Sequence, residues 1–178
     1  ELGSIRINKE ERGKMYRTIP RSSVIGFLIG VLPGAGATIA SFLAYGMERN
    51  LVKDEEKEKF GKGSVNGLSA PETANNAACS GSFVPMLTLG IPGSGTTAVM
   101  LGALLGFGIQ PGPRLYMTNP EIFWSVIMSM YIGMVILLIL NLPLIPYIAR
   151  ILAVPKNYLI PLILFFSITG IYVMSFNN

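Results

Sequence analysis

Pro92-Gly93-Ser94-Gly95-Thr96-Thr97 sits in the middle of a long apolar run, and Pro33-Gly34-Ala35-Gly36-Ala37-Thr38 is a near-copy of it upstream. Proline removes a backbone donor and glycine weakens a helix, so each sextet opens the backbone. A helix in lipid keeps its hydrogen bonds within itself, and broken backbone persists there only where it is buried in protein or lines a cavity. The two sextets are therefore the candidate site.

Composition puts them in a membrane. The 178 residues are 51% hydrophobic and only 13% charged, with a mean hydropathy of +0.52, whereas soluble domains carry about 25% charged residues. The formal charge of +4 is unevenly spread: Arg6, Lys9, Arg12, Lys14, Arg17 and Arg21 lie in residues 1–21, and Arg49, Lys53, Lys57, Lys59 and Lys62 lie in residues 48–62 beside five acids. These clusters flank apolar segments without an aromatic-basic pattern, which speaks for topology and against nucleic acid as a partner. A single cysteine (Cys79) and no histidine exclude an internal disulfide, a Cys/His zinc site, a histidine proton relay and a Ser-His-Asp triad. The chain has no initiator methionine and stops just after an apolar segment, so it reads as a piece of a longer polypeptide.

The expected order is a basic surface segment (1–21), an apolar stretch (24–47) broken at Pro33–Gly36, and a charged loop (48–63). A turn at Ala70-Pro71-Glu72, an apolar run (73–107) broken at Pro92–Thr97, and two further spans (122–148 and 158–176) follow. The halves of the first broken stretch would reach only about 13–15 Å each, roughly half a hydrocarbon core. That permits either a broken spanning helix or a re-entrant hairpin. If 24–47 is re-entrant, every Lys and Arg except Arg114 falls on one face; if it spans, they divide equally. Basic residues collect in cytoplasmic loops, so the hairpin is expected, with 73–107 crossing as a discontinuous helix.

Opened helices expose backbone N–H groups, and a half-helix N-terminus carries partial positive charge. Two such termini meeting near the midplane make an anion site without a basic side chain. Paired Gly/Pro-interrupted apolar segments are the sequence pointer to a transporter site. The bland alternative is packing, supported by the small-xxx-small pairs Gly26/Gly30 and Gly102/Gly106. Neither sextet has the spacing of a nucleotide-binding glycine loop. Glu72, Asn75 and Asn76 form a second constellation, fit to hold a cation or hydrogen-bond a carboxylate. Glu72 serves equally well as an N-terminal helix charge, with Pro71 starting the helix.

Several stretches, in order, resemble the TctA family, the large membrane subunit of the tripartite tricarboxylate transporters. They are Gly30-Val31-Leu32-Pro33-Gly34-Ala35-Gly36-Ala37-Thr38-Ile39-Ala40-Ser41-Phe42, Phe60-Gly61-Lys62-Gly63, Ala70-Pro71-Glu72-Thr73-Ala74-Asn75-Asn76-Ala77-Ala78, Leu87-Thr88-Leu89-Gly90-Ile91-Pro92-Gly93-Ser94-Gly95-Thr96-Thr97 and Gln110-Pro111-Gly112-Pro113. Thr73 and Cys79 stand where alanine is usual. The resemblance implies a multi-pass permease of the bacterial inner membrane that imports citrate-like or other carboxylates. It implies a small four-span membrane subunit and a periplasmic solute-binding protein as partners, and an ion gradient as the driving force. It also implies an inverted-repeat fold in which each repeat pairs a re-entrant hairpin with a broken helix.

The combined expectation is an all-α integral membrane chain, half of an inverted-repeat secondary transporter: re-entrant hairpin, discontinuous helix and two further spans in lipid. The expected substrate site is Pro33, Gly34, Ala35, Gly36, Thr38, Asn75, Asn76, Pro92, Gly93, Ser94, Gly95, Thr96 and Thr97. Glu72, Asn75 and Asn76 are candidates for ion coupling, with Na⁺ or H⁺ as the ion and no other cofactor. No nucleophile–base pair suggests an enzyme. The rival is a membrane scaffold or oligomerisation module whose glycines serve packing alone.

Overall fold

The computed structural model describes residues 7–149 and 155–175, and every regular element among them is a helix. Helix α1 (Lys9–Val31) opens on a capping box: Asn8 Oδ1 accepts from the Glu11 N–H at 2.8 Å, and Glu11 Oε2 accepts from the Asn8 N–H at 2.8 Å. With two orphan donors satisfied reciprocally, the helix starts here and runs through Pro20. The basic segment and the first apolar half are thus one helix, where the sequence reading began the hairpin at residue 24. Asn8-Lys9-Glu10-Glu11 was the overlooked start signal.

The chain reverses at Leu32–Ala35, and α2 (Gly36–Leu51) returns alongside α1, bringing Glu48 to Thr18 and Arg21. A single turn, α3 (Asp54–Lys57), follows in the charged connection. Glu56 there receives hydrogen bonds from Lys14 Nζ (2.9 Å) and Lys59 Nζ (2.8 Å). Helix α4 (Val65–Gly81) is capped by Ser64, whose Oγ accepts from the Gly67 N–H at 3.1 Å. The turn expected at Ala70-Pro71-Glu72 is absent, because Pro71 lies inside α4. Pro71 is held there by neighbours, and its carbonyl accepts from Ser41 Oγ at 3.1 Å.

Helices α1, α2 and α4 form one packed unit on small residues. Thr18, Ser22, Gly26 and Gly30 are the buried positions of α1, and Ala40, Ala44 and Glu48 those of α2. On α4 they are Asn66, Ala70, Ala74, Ala78 and Gly81. The spacing of four residues, three in the last step to Gly81, places each set on a single face. Thr18 meets Asn66, Gly26 meets Ala74 and Gly30 meets Ala78, a constant offset of 48 residues, so α1 and α4 run parallel with α2 antiparallel to both. The core is alanine and glycine, while Val24, Phe27, Leu28, Ile39, Phe42 and Leu43 stay exposed. Small side chains inside and large apolar ones outside invert the soluble-protein pattern and suit helix packing in lipid.

After α4 the chain bends at Ser82 into α5 (Phe83–Leu89), breaks at Gly90–Ser94 and resumes as α6 (Gly95–Gly106). The expected broken helix over 73–107 therefore begins earlier and has a second interruption at Ser82. Beyond α6 the chain doubles back: the Gly112 N–H donates to Leu87 O at 3.1 Å, and a Cβ on Gly90 would lie 2.8 Å from Pro111 O. Leu115, at the start of α7 (Leu115–Thr118), is buried.

The chain divides into two compact units, Glu1–Val126 and Ile127–Asn178. Helix α8 (Pro120–Ala149) begins in the first and continues in the second, which also holds α9 (Lys156–Ser175). Residues Pro120–Ile148, whose most apolar 18-residue window has a mean hydropathy of 2.4, are long and apolar enough to cross a membrane; the apolar part of α9, Asn157–Val173, is shorter. Large side chains on both helices, such as Leu138, Ile139, Phe165 and Phe166, are exposed. Arg6 and Arg150, which entered the charge count, and Phe176, the expected end of the last span, lie outside the described residues.

Candidate functional site

The two proline-glycine breaks are built differently. At the first, the Leu32 N–H donates to Ile29 O and the Ala35 N–H to Leu32 O. The tip between them depends on Gly34 (φ 81°) and Gly36 (φ 69°), a left-handed conformation that only glycine adopts cheaply. Helix α2 then starts with no side-chain cap. At the second, Gly90 (φ 71°) closes α5: its N–H donates to Met86 O at 3.1 Å and the next N–H, of Ile91, to Pro85 O at 3.3 Å. The Gly90 bond is that of an αL ending, with glycine at the left-handed position, followed by a proline that cannot continue the helix. Ser94 opens α6 with a reciprocal cap: its Oγ accepts from the Thr97 N–H at 3.2 Å, and Thr97 Oγ1 accepts from the Ser94 N–H at 2.8 Å.

Both breaks line one open cleft of about 650 Å³. From the first sextet come Gly34, Gly36, Ala37 and Thr38; from the second, all of Pro92 to Thr97 with Ala98; α4 and the bend after it add Cys79, Ser82 and Phe83. The N-termini of α2 and α6 both open on this space, each equivalent to roughly half a positive charge. No charged side chain lines it. Hydroxyls differ in availability: Thr97 is buried and committed to the cap, whereas Thr38 and Thr96 are exposed.

Several expected residues lie elsewhere. Pro33 and Ala35 shape the tip but do not line the cleft. Glu72, Asn75 and Asn76 are exposed on α4 outside it. Asn76 Nδ2 donates to the Glu72 carbonyl at 2.9 Å, and Asn75 Oδ1 accepts from Cys79 Sγ at 3.8 Å, so Asn75 stands one residue removed from the lining. Among the described residues no group of three or more His, Cys, Asp or Glu side chains converges on a metal position. Cys79, Ser82 and Phe83 were missed. Cys79 and Ser82 belong to the small-residue run after Asn76, Phe83 opens α5, and Cys79 lies one helical turn beyond Asn75.

Glycine environments separate packing from lining. A Cβ on Gly26 would lie 2.6 Å from Ala74 Cα, one on Gly30 2.6 Å from Ala78 Cα, and one on Gly81 2.5 Å from Phe27 O. Gly93 is mixed: it lines the cleft, yet a Cβ there would meet Ser82 Cβ at 2.9 Å. Gly34, Gly36 and Gly95 have nothing within 4 Å, and neither do Gly102 and Gly106. The packing alternative thus describes Gly26 and Gly30, not the cleft glycines at 34, 36 and 95.

A helical chain with a small-residue core, large apolar side chains outside and two opened helices at one cleft has the make-up of a membrane transport protein. It matches the Tripartite tricarboxylate transporter TctA family over residues 1–178 and belongs to that family, a component of a membrane transporter. It is 42% identical over 171 residues to an uncharacterized 52.8 kDa protein in the TAR-I ttuC' 3' region of Agrobacterium vitis, covering 96% of this chain and 34% of that one. It is 46% identical over 153 residues to an uncharacterized protein in the TAR-II ttuC' 3' region of the same organism, covering 86% of this chain and 62% of that one. The chain thus spans about a third of one curated relative and less than two thirds of the other. No solved structure matches it.

Proposed function

We propose that this chain forms the carboxylate-handling part of the large membrane subunit of a tripartite, ion-coupled importer. The subunit sits in the bacterial inner membrane, assembled with a small four-span subunit and served by a periplasmic binding protein. The α1–α2 hairpin is re-entrant in this reading, and the chain is half of an inverted repeat. The reading rests on one observation: two helices broken at matching Pro-Gly-x-Gly sequences present their N-terminal turns to the same cleft. A carboxylate fits there because oriented N–H groups supply donors and partial positive charge without a lysine or arginine. Family membership supports tricarboxylates as the substrate class, and Na⁺ or H⁺ coupling completes the proposal.

Gly95 offers the cleanest test, because it lines the cleft and a Cβ there would meet no neighbouring atom within 4 Å. In the complete transporter in proteoliposomes, Gly95→Leu abolishes tricarboxylate uptake while membrane insertion and subunit assembly persist. Uptake at the wild-type rate in this variant removes the cleft from the substrate path.

A further inference from the structure

We propose that Glu48 and Asn66 form a proton-binding site at the base of the hairpin, in which a proton carried on Glu48 Oε2 is donated to Asn66 Oδ1. The site stands on its own geometry and does not require the carboxylate reading. Among the described residues, Glu48 is the one buried charged side chain, with no exposed surface. Its Oε1 accepts three hydrogen bonds, from Thr18 Oγ1 (2.8 Å), Arg21 Nη2 (2.8 Å) and Asn66 Nδ2 (2.9 Å). Its Oε2 accepts none. Asn66, 6% exposed, uses its amide nitrogen twice, towards Glu48 Oε1 and towards Thr18 Oγ1 (2.9 Å), and its Oδ1 also has no partner.

The two orphans belong to side chains already joined by one hydrogen bond, and they are the atoms that a second bond of an acid–amide pair would use. A carboxylic acid and a carboxamide join through two hydrogen bonds, N–H to one carboxyl oxygen and O–H from the other to the amide oxygen. The first is present, and both atoms of the second are buried acceptors with no donor. Buried polar atoms are normally paired, and each exception needs an explanation. One proton on Oε2 supplies the missing donor and satisfies both.

The neighbouring charges allow the exchange. On α1, Arg21 is the cation in contact, and its side chain is 41% exposed. When a hydronium ion gives its proton to Oε2 and leaves as water, the half-exposed guanidinium can release to solvent, so no buried charge is stranded. Lys14, further out on α1, is engaged by Glu10 and Glu56. On α4 the ionisable groups, Glu72 and Cys79, are exposed, and on α2 itself Arg49 is exposed. Ser22 Oγ, one turn from Thr18 on α1, is buried and without a partner, so it offers the carboxyl no hydrogen bond. A metal cation is disfavoured, since it would sit next to Arg21.

Infrared difference spectra of the full-length polypeptide in nanodiscs, taken between alkaline and acid buffer, test the assignment. Acidification brings up a protonated-carboxyl band that is lost in Glu48→Gln and moves to a higher frequency in Asn66→Leu, where the acceptor is gone. Glu48→Gln keeps the fold, because its Nε2 donates to Asn66 Oδ1 as the protonated acid would; Glu48→Asp, if needed, keeps the band at a shifted position. An unchanged band in Glu48→Gln overturns the proposal. So does the absence of any band at every pH where the protein stays folded, which would mean a permanently ionised Glu48 with water at the orphan oxygens. The readout needs no substrate, so a failure of the carboxylate reading leaves it decisive.

Discussion

Gly30 and Ala78 meet backbone to backbone: a Cβ on Gly30 would lie 2.6 Å from Ala78 Cα, and its nearest neighbour would be the Ala78 carbonyl oxygen. Neither atom belongs to a flexible side chain that can swing away. Gly30→Ala therefore forces α1 and α4 apart and costs about 1–3 kcal/mol, seen as a lower thermal midpoint of the purified full-length protein. Adding Ala78→Gly gives no rescue, because the clash is with the main chain and not with the Ala78 methyl. Recovery in the double variant would mean that the helices are separated by side chains.

Cys79 is exposed and lines the cleft beside the second break. In a background without other cysteines, a tricarboxylate slows maleimide labelling of Cys79 several-fold, while a neutral compound of similar size does not. Labelling rates insensitive to carboxylate would place the anion elsewhere.

The cap of α6 predicts a graded series. Ser94→Ala removes the acceptor for the Thr97 N–H and costs about 0.5–2 kcal/mol, whereas Ser94→Gly costs only a few tenths. Thermal unfolding of the two variants checks the order. The same loss loosens one cleft-facing helix terminus, so substrate affinity falls more in the alanine variant.

At the outer end of the hairpin, hydrogen bonds from Lys59 and then Lys14 hold the Glu56 carboxyl below its ordinary 4.5. Hydrogen bonds to Glu56 and then Glu10 hold the Lys14 ammonium above its ordinary 10.5. A carboxyl whose folded pKa is lowered adds stability above its unfolded value, and this is lost as pH falls through the folded one. A raised lysine adds stability below its unfolded value, lost as pH rises through the folded one. Glu56→Gln therefore flattens the fall in stability below about pH 4.5 and also weakens the alkaline limb through Lys14. Unfolding midpoints across that range, compared with wild type, measure the effect, which is small at these partly exposed positions.

Much of the fold was legible because helix breaks in an apolar run have few causes. Pro33-Gly34 and Pro92-Gly93 marked both breaks, and the structure brings them to one cleft. What escaped the sequence was set by partners. Pro71 reads as a turn, yet tertiary packing holds it inside α4. Glu48 reads as part of a solvated charged loop, because nothing local shows that Thr18, Arg21 and Asn66 converge on it. The spacing Ala40, Ala44, Glu48, matched by Gly26 and Gly30 on α1 and by Asn66, Ala70, Ala74 and Ala78 on α4, carried that information. It becomes readable only when three helices are compared at once. Glu72, Asn75 and Asn76 read as one constellation fit for a cation or a carboxylate, and all three lie on the exposed side of α4, which period alone, without knowing the packed face, does not decide.

The constant 48-residue offset between α1 and α4 works like a rack with teeth four residues apart. Close main-chain contact leaves no room for a partial slip, so the smallest step from one seated position to the next is about 6 Å. Any such step would tear Asn66 from both Thr18 and Glu48. Over smaller excursions α1, α2 and α4 travel as one piece, and movement at the cleft falls to the segment beyond Ser82.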